Sequence, residues 1–364
     1  MIVAAMNEKP SLNKDVLLVF IPGDRPDEWI KRLTNKHPGL EIRWVNPFRA
    51  DKTFMKPDDF GPEIWDGVTL LATFIPPPVT LIPKVRYIQL TSAGADRWPA
   101  HPTYQDESVT ICTANGVHAP QIAEWVIGTW LSFAHKFPRY TNNMQFGSWD
   151  KPVDSEVEDS PGLRMGILGY GAIGRQCARL ATAMGMEVYA YTRNDRTTPE
   201  SRKDDSFCVP GTGDPDGLLP AKWFHGPTRE SVDNFLAQDL DVLVVSMPLT
   251  NETRHIISYE QFDILSKKKT FVSNIARGGH INQEALMKAL EDGQIRGAAL
   301  DVTEPEPLPS DHPLWKAPNL LITPHCSWKS HNYFARLLAV VETNIDNLGA
   351  GRSLINVVNR KLHY

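Results

Sequence analysis

The sequence predicts an α/β protein built from two domains, each with a doubly wound parallel β-sheet. Three observations support this prediction. The chain has 364 residues, which suits two domains at about 150 residues each. Short apolar runs alternate with segments of helical spacing along most of the chain, as in parallel sheets covered by helices on both faces. A glycine-rich turn follows an apolar run near the middle of the chain.

Composition narrows the possible functions. Hydrophobic residues make up 41% and charged residues 22% of the chain, which excludes a largely disordered protein. The 38 Lys and Arg residues against 43 Asp and Glu residues give a net charge of −5. We therefore expect no nucleic-acid partner, since phosphate binding needs a surplus of cations. The four cysteines form no C-x-x-C pair, so we expect neither a disulfide framework nor a bound metal.

The chain also carries no pattern that suggests a membrane location. Its start becomes charged before the apolar region of a signal peptide could form. The longest uncharged apolar stretch, residues 68–83, is too short to span a bilayer and contains four prolines. The scarcity of cysteine favours a reducing compartment. A cytoplasmic location without a membrane partner is the resulting prediction.

The first domain is predicted from strands that alternate with helices. Residues 121–137 are apolar over much of a helical circumference, and we expect this helix to cross between the domains. The last helix, 330–351, is expected to return to the first domain, which makes that domain discontinuous. The predicted boundaries are 1–122 with 331–364 for the substrate-binding domain, and 123–330 for the dinucleotide-binding domain. The predicted elements of the first domain are strands 15–22, 41–45, 67–74 and 85–92 and helix 27–37.

The second domain repeats the alternation with one interruption. Between 193 and 230 the chain becomes rich in Pro, Gly and Asp. This stretch is too long for an ordinary connection, so residues 196–230 are predicted to be an exposed insertion or flap. The other predicted elements are strands 163–171, 186–192, 241–248, 270–276, 297–302 and 319–325 and helices 177–185, 260–267 and 282–293.

The glycine-rich turn predicts a dinucleotide site. Its sequence, GYGAIG, follows a predicted strand and opens a helix, which is the context of a Rossmann-like phosphate-binding loop. The first glycine makes the tight turn, the second lets the backbone approach a pyrophosphate, and the third allows close helix packing. The helix N-terminus then faces the anion. The predicted cofactor-binding residues of this loop are Gly169, Gly171, Ala172, Ile173 and Gly174.

The end of the next strand suggests which dinucleotide is bound. An NAD(H) site normally places a carboxylate there to bind the ribose hydroxyl. Here the strand ends at Thr192 and Arg193, which can hydrogen-bond and pair with a 2′-phosphate. NADP(H) is therefore the preferred prediction. The alternative is that Arg193 is solvated and Asp195 serves the ribose of NAD(H).

Polar residues follow three later strands. Arg277 follows strand 270–276, and His325 ends strand 319–325. Two glutamates, Glu304 and Glu306, follow strand 297–302, and the pattern alone does not choose between them. Because the carboxyl ends of parallel strands meet at one edge of a sheet, we expect these residues to lie close together beside the dinucleotide. An arginine, a carboxylate and a histidine in that position predict hydride transfer to a 2-keto acid. Arginine would bind and polarise the substrate, and histidine would protonate the carbonyl oxygen with a carboxylate beside it.

Three segments resemble the D-isomer-specific 2-hydroxyacid dehydrogenase family. They are NIARGG (274–279), GAALDVTEPEPL (297–308) and TPH (323–325), and the resemblance extends over nearly the whole chain. It implies that Arg277, Glu306 and His325 are the catalytic residues, with Glu306 rather than Glu304 beside the histidine. It also implies a homodimer, through the segments 122–125 and 146–149.

The same resemblance implies further binding residues. Segment 246–257 is similar to the one that packs on the adenosine of the cofactor. The backbone amides of Ala93 and Gly94 would bind the substrate carboxylate together with Arg277. The further cofactor contacts implied are Met247, Pro248, Thr253, Ile275 and Asp301, the last at the nicotinamide carboxamide.

The sequence departs from the family pattern directly after the histidine. The family usually has small residues there, whereas this chain has Cys326, Ser327 and Trp328. Trp328 could narrow the substrate pocket or pack on the cofactor, and Cys326 is expected to be a small buried residue without a redox role.

The function predicted from the sequence is NADPH-dependent reduction of a 2-keto acid, with glyoxylate or hydroxypyruvate as substrate, to the D-2-hydroxy acid in a cleft between the domains. One alternative is a reductase of bulkier aryl or branched 2-keto acids. The other is a non-catalytic protein that senses NAD(P)H.

Overall fold

Two parallel β-sheets organise the chain in a computed structural model, which describes residues 12–151 and 157–361. The chain divides into two units, Met1–Val117 with His331–Tyr364, and His118–Ser330. The predicted first boundary, between residues 122 and 123, lies slightly later, inside the helix Ala119–Ala134. The predicted fold class, α/β with two Rossmann-like parallel sheets, is confirmed.

The first unit contains a five-stranded sheet in the order β2-β1-β3-β4-β5, with all pairs parallel. Its inner strand β1 (VLLVF) is buried along its whole length, as expected of an apolar strand covered on both faces. The C-terminal helix returns to this sheet, where the Asn344 amide donates to Gln89 Oε1 at 3.0 Å. The elements are β1 (Val16–Phe20), α1 (Asp27–Lys36), β2 (Glu41–Val45), β3 (Leu70–Thr73), β4 (Tyr87–Leu90), α2 (Pro102–Gln105), β5 (Thr110–Cys112) and α10 (Tyr333–Ala350).

The second unit contains a seven-stranded parallel sheet in the order β12-β11-β10-β9-β6-β7-β8. The chain starts in the middle at β6, runs to one edge, and returns at β9 to run to the other edge. Ligands of such sheets bind at the carboxyl ends of the strands, beside the point where the direction reverses. The strands are β6 (Arg164–Leu168), β7 (Glu187–Thr192), β8 (Lys222–His225), β9 (Val242–Val245), β10 (Phe271–Asn274), β11 (Gly297–Leu300) and β12 (Leu320–Ile322).

Helices cover both faces of this sheet. In β9, Leu243 and Val245 belong to one hydrophobic cluster, whereas Val242 and Val244 belong to the other. This alternation follows from the two-residue period of a strand, and it explains why β9 is apolar at every position. The helices are α3 (Ala119–Ala134), α4 (Phe137–Gln145), α5 (Ala172–Ala183), α6 (Pro199–Arg202), α7 (Arg229–Leu236), α8 (Tyr259–Leu265) and α9 (Gln283–Glu291).

The prediction that residues 196–230 form an exposed insertion was wrong in part. Lys222–His225 is the edge strand β8, paired in parallel with β7, and its four residues (KWFH) are too few to show that role in the sequence. Asp214 is buried, and its carboxylate accepts hydrogen bonds from the Tyr170 hydroxyl and the amides of Leu218 and Leu219. The segment therefore packs against the glycine loop, which contains Tyr170.

Within the ranges 12–151 and 157–361, no helix is both long and apolar enough to cross a bilayer.

Candidate active site

The glycine loop has the geometry that a bound pyrophosphate requires. Gly169 has φ +108°, and a Cβ there would lie 2.7 Å from the Met247 amide nitrogen. A Cβ at Gly174 would lie 2.5 Å from the carbonyl oxygen of Gly169, so only glycine permits this contact between loop and helix. At Gly171 a Cβ would meet nothing within 4 Å. The second glycine thus borders open space at the N-terminus of α5, where a phosphate can approach the backbone.

Thr192 and Arg193 lie at the carboxyl end of β7. The Thr192 hydroxyl donates to the carbonyl oxygen of Asn194 at 2.7 Å, and Arg193 is exposed. The pKa of the exposed Glu252 carboxyl is lowered mainly by the Thr250 hydrogen bond and, to a smaller extent, by the positive charge of Arg193. Asp195, the alternative ribose partner, lies 3.6 Å from the imidazole of His225 at the end of β8.

The loop after β9 is fixed by hydrogen bonds and partly covers the core. The Thr253 hydroxyl donates to the carbonyl oxygen of Pro248 at 2.9 Å. Met247 packs against the hydrophobic cluster on one face of the sheet. Ile275, which follows β10, is buried, and its amide donates to the carbonyl oxygen of Val245 at 3.3 Å. These predicted cofactor contacts therefore lie at two adjacent strand ends.

Arg277 follows β10 and is half-buried. Its carbonyl oxygen accepts the Asn274 side-chain amide at 2.9 Å, and its guanidinium donates to the carbonyl oxygen of Ala276 at 2.6 Å. A Cβ at Gly278 would lie 2.1 Å from the carbonyl carbon of Thr303. The missing side chain at Gly278 therefore lets the arginine loop pack directly against the loop that carries the two glutamates.

His325 and Glu306 form the pair that the resemblance implied. The imidazole Nδ1 lies 2.9 Å from Glu306 Oε2, and the Thr303 amide donates to Glu306 Oε1 at 3.1 Å. Glu304 instead pairs with the guanidinium of Arg254 at 2.8 Å. Because an ionised carboxylate only accepts hydrogen bonds, the Nδ1 atom of His325 carries a proton. Its Nε2 atom is then the one that can exchange a proton with a substrate.

Asp301 holds the loop that carries His325. The aspartate is buried, and its carboxylate accepts the Thr323 hydroxyl, the amides of Cys326 and Ser327, and the Ser327 hydroxyl. The His325 amide donates to the Asp301 carbonyl oxygen at 2.8 Å. The sequence predicted a cofactor contact for Asp301 but not this structural role, because the loop residues that donate to it gave no separate signal.

The two predicted substrate-binding residues outside this unit follow β4. Gly94 accepts the Ser92 hydroxyl at 2.6 Å through its carbonyl oxygen, and Ala93 is exposed. They lie in the first unit, at the carboxyl edge of its sheet. Thr192 ends β7, and the other predicted site residues follow β6, β7, β9, β10, β11 or β12 of the second unit, at the carboxyl edge of that sheet.

His280 is a polar residue that the sequence analysis did not select. Its imidazole is fully buried, with Nδ1 3.1 Å from the carbonyl oxygen of Arg277 and Nε2 3.1 Å from that of Pro248. Burial lowers the pKa of His280, and the charges of Arg277 and Arg254 add to this effect, although the two carbonyl contacts oppose it. The folded protein therefore favours the neutral ring, which has one N–H group and donates to one of these two carbonyl oxygens.

This lowered pKa predicts a pH-dependent stability. A histidine whose pKa is lower in the folded state stabilises the fold above its unfolded pKa, and that contribution is lost as the pH falls through the folded pKa. We expect wild type to lose more free energy of unfolding than His280→Gln between about pH 7.5 and pH 5. Urea unfolding at both pH values measures this, with the exposed His331→Gln as a control. Equal losses in wild type and His280→Gln would contradict the prediction.

Together, the doubly wound sheet, the glycine loop and the His325–Glu306 pair define a dinucleotide-binding α/β oxidoreductase. Comparison with known proteins identifies its family. Residues 127–209 and 220–327 match the model of the "D-isomer specific 2-hydroxyacid dehydrogenase, NAD binding domain". The chain belongs to the D-isomer specific 2-hydroxyacid dehydrogenase family.

Individual relatives resemble both parts of the chain. Glyoxylate/hydroxypyruvate reductase A of Enterobacter sp. is 28% identical over 355 residues, which cover 96% of this chain and 95% of the relative. D-3-phosphoglycerate dehydrogenase of Methanocaldococcus jannaschii is 30% identical over 278 residues, or 76% of this chain, but the match spans only 48% of that longer protein. A crystal structure of a D-isomer specific 2-hydroxyacid dehydrogenase from Xanthobacter autotrophicus, in complex with NADPH and MES, is 26% identical and superposes with a TM-score of 0.71 over 98% of this chain and 100% of the other.

Proposed function

We propose that the protein is an NADPH-dependent reductase that converts a small 2-keto acid, such as glyoxylate or hydroxypyruvate, to the 2-hydroxy acid, with D configuration where the product is chiral. The observation that carries this proposal is the His325–Glu306 pair, 2.9 Å apart, at the same sheet edge as the glycine loop. The name of the Enterobacter relative supports the substrate class, and the NADPH bound to the Xanthobacter protein supports the cofactor.

In this proposal each side chain has one chemical task. When bound, the nicotinamide supplies the hydride that reduces the keto carbon. Arg277, together with the amides of Ala93 and Gly94, binds the substrate carboxylate, and the guanidinium also polarises the keto carbonyl. His325 donates a proton from Nε2 to the carbonyl oxygen as negative charge develops there. Glu306 holds the imidazole through Nδ1 and stabilises its protonated form before that transfer.

The cofactor preference is assigned to Thr192 and Arg193. Both lie at the end of β7, and neither carries a negative charge that would repel a 2′-phosphate. The exposed guanidinium of Arg193 can pair with a dianionic phosphate. The remaining proposed cofactor contacts are Gly169, Gly171, Ala172, Ile173, Gly174, Met247, Pro248, Thr253, Ile275 and Asp301.

A panel of 2-keto acids assayed with NADPH and NADH tests both assignments. We expect turnover of glyoxylate or hydroxypyruvate with NADPH, and weaker turnover with NADH. Arg193→Leu should raise KM for NADPH about 10- to 100-fold, since a charge-assisted contact contributes about 1.5–3 kcal/mol. KM for NADH should change little, which makes NADH the internal control.

Other outcomes of the panel favour the alternatives. Fastest turnover of phenylpyruvate or a branched acid would indicate the reductase of bulkier substrates. Binding of NADPH without turnover of any acid would indicate a protein that senses the cofactor. An equal rise in KM for NADPH and NADH in Arg193→Leu would contradict the assignment of this arginine to the 2′-phosphate.

We also propose that the protein forms a homodimer through α4 and the residues that follow it. This segment carries four large apolar side chains whose exposed fractions range from 54% to 91%, and such exposed patches mark interaction surfaces. Sedimentation equilibrium should give twice the chain mass, and a monomer would refute the proposal. The four side chains are Phe137, Met144, Phe146 and Trp149.

A further inference from the structure

The backbone of His325 lies in the left-handed region, with φ +48°. This conformation is unfavourable for a residue with a side chain, and it persists only where surrounding contacts maintain it. A change in the backbone dihedral angles of His325 would move the imidazole relative to Glu306. The contacts that maintain the conformation therefore also set the position of the ring.

Asp301 binds the backbone amide of His325, and Trp328 binds the backbone carbonyl of the same residue. The His325 amide donates to the carbonyl oxygen of Asp301 at 2.8 Å. The carbonyl oxygen of His325 accepts the indole Nε1 of Trp328 at 2.9 Å. An indole has one N–H group and cannot accept a hydrogen bond in return, so this contact has a defined direction.

Trp328 is itself held by helix α3. Its carbonyl oxygen accepts the side-chain amide of Gln121 at 2.7 Å. Its ring lies 6.3 Å from the imidazole of His118 at an interplanar angle of 77°, and it packs against the hydrophobic cluster that contains Trp130. Trp328 is therefore held through its backbone carbonyl by α3 and through its ring by the cap of that helix and the cluster.

We propose that Trp328 is a positioning residue for His325: its indole N–H fixes the His325 carbonyl, and thereby directs the imidazole towards Glu306. This inference rests on the proposed function for its effect on turnover, but the geometry it describes is independent of any substrate. It assigns Trp328 a task other than narrowing the substrate pocket or packing on the cofactor.

The variant Trp328→Phe tests the inference, because phenylalanine keeps an aromatic ring and removes the N–H group. A hydrogen bond of this kind changes an equilibrium by about three- to tenfold. We expect kcat to fall by about that factor while KM for NADPH stays unchanged. Trp315→Phe is the matched control, since the Trp315 indole donates in the same way to the carbonyl oxygen of Pro309 at 2.8 Å. Its kcat should equal that of wild type.

Proton NMR of protein labelled with ¹⁵N-histidine separates positioning from stability. The Nδ1 proton shared with Glu306 should give a low-field signal in wild type, assigned by its absence in His325→Gln. In Trp328→Phe this signal should broaden or shift, whereas a tryptophan with a merely structural role would lower the melting temperature and leave the signal unchanged. An unchanged signal in folded Trp328→Phe would overturn the inference, even if kcat fell.

Two further outcomes are decided by the same experiment. If wild type reduces no 2-keto acid, the proposed function fails, and the NMR signal alone decides the role of Trp328. If Trp328→Phe does not fold, Gln121→Met replaces it, because this change leaves the indole in place and removes the bond from α3. We expect the Nδ1 proton signal of Gln121→Met to broaden or shift relative to wild type, and an unchanged signal would overturn the inference.

Discussion

Replacing His325 with glutamine is expected to lower kcat by about 100- to 10,000-fold, the usual contribution of a general acid. Glutamine retains a polar group of similar reach but donates no proton at neutral pH. The cofactor should still bind with its original affinity, because His325 belongs to a loop that follows β12, whereas the glycine loop follows β6. Steady-state rates and the quenching of tryptophan fluorescence by NADPH measure the two properties separately.

Two glutamates provide the control for this result. Glu306→Gln should lower kcat by less than His325→Gln, because the imidazole stays and loses only the charge that stabilises its protonated form. Glu304→Gln makes the same chemical change two residues earlier, at a carboxylate that pairs with Arg254, and should leave kcat unchanged. Loss of NADPH binding in His325→Gln, or equal losses in the two glutamate variants, would show that the assigned roles are wrong.

The residues that the sequence could place are those whose position follows from a strand. The strands β6 and β9 to β11 lie in apolar runs, and parallel β-sheet geometry requires the residue after each one to lie at the same edge. Arg277 was found in this way, and so was the glycine loop. The place of these segments follows from the strand that precedes each of them, which is why a single sequence was sufficient.

The choice between Glu304 and Glu306 shows what the spacing could not provide. Both residues follow β11 in an irregular loop, where no period relates one side chain to the next. The structure separates them because Arg254, from the loop after β9, binds Glu304. A contact between two irregular segments has no signature in either of them, and the resemblance alone favoured Glu306.

The same reason explains what the sequence analysis missed around the site. Trp328 looked like a substitution that could narrow the pocket, whereas its indole donates to the carbonyl of His325. Strand β8 was read as part of an insertion, because an edge strand of four residues needs little apolar sequence. In both cases the decisive partner is distant in the chain or belongs to the backbone.

Arg175→Met is expected to destabilise the second unit by about 3 kcal/mol, the lower part of the range for breaking a buried ion pair. Arg175 lies on α5 and its side chain is 5% exposed. The guanidinium donates to the carbonyl oxygens of Asp214 and Arg202, and its Nε lies 3.2 Å from Asp204 Oδ2. Methionine fills a similar volume but leaves the two carbonyl oxygens and the charged Asp204 carboxylate without their cationic partner.

Arg179→Met provides a matched control one turn further along α5. Arg179 is exposed and donates through Nε to the carbonyl oxygen of Gly213 at 2.7 Å. The same substitution there should cost less than about 1 kcal/mol, as expected for a hydrogen bond near solvent. Urea unfolding of both variants measures the difference, and equal losses would show that the buried guanidinium is not what holds residues 202–214 to α5.

Arg175→Met should also affect the cofactor site, because the guanidinium of Arg175 lies 5.0 Å from the centre of the Tyr170 ring. Tyr170 stands between the first two glycines of the loop, and its buried hydroxyl donates to Asp214 Oδ2 at 2.8 Å. Removing Arg175 loosens the segment that supplies this acceptor, so the loop loses a contact that fixes its conformation before a phosphate arrives. We therefore expect weaker NADPH binding in folded Arg175→Met and unchanged binding in Arg179→Met, which titration calorimetry measures. Unchanged affinity in Arg175→Met would mean that the glycine loop keeps its shape without the packed segment, and that residues 196–230 contribute to stability alone.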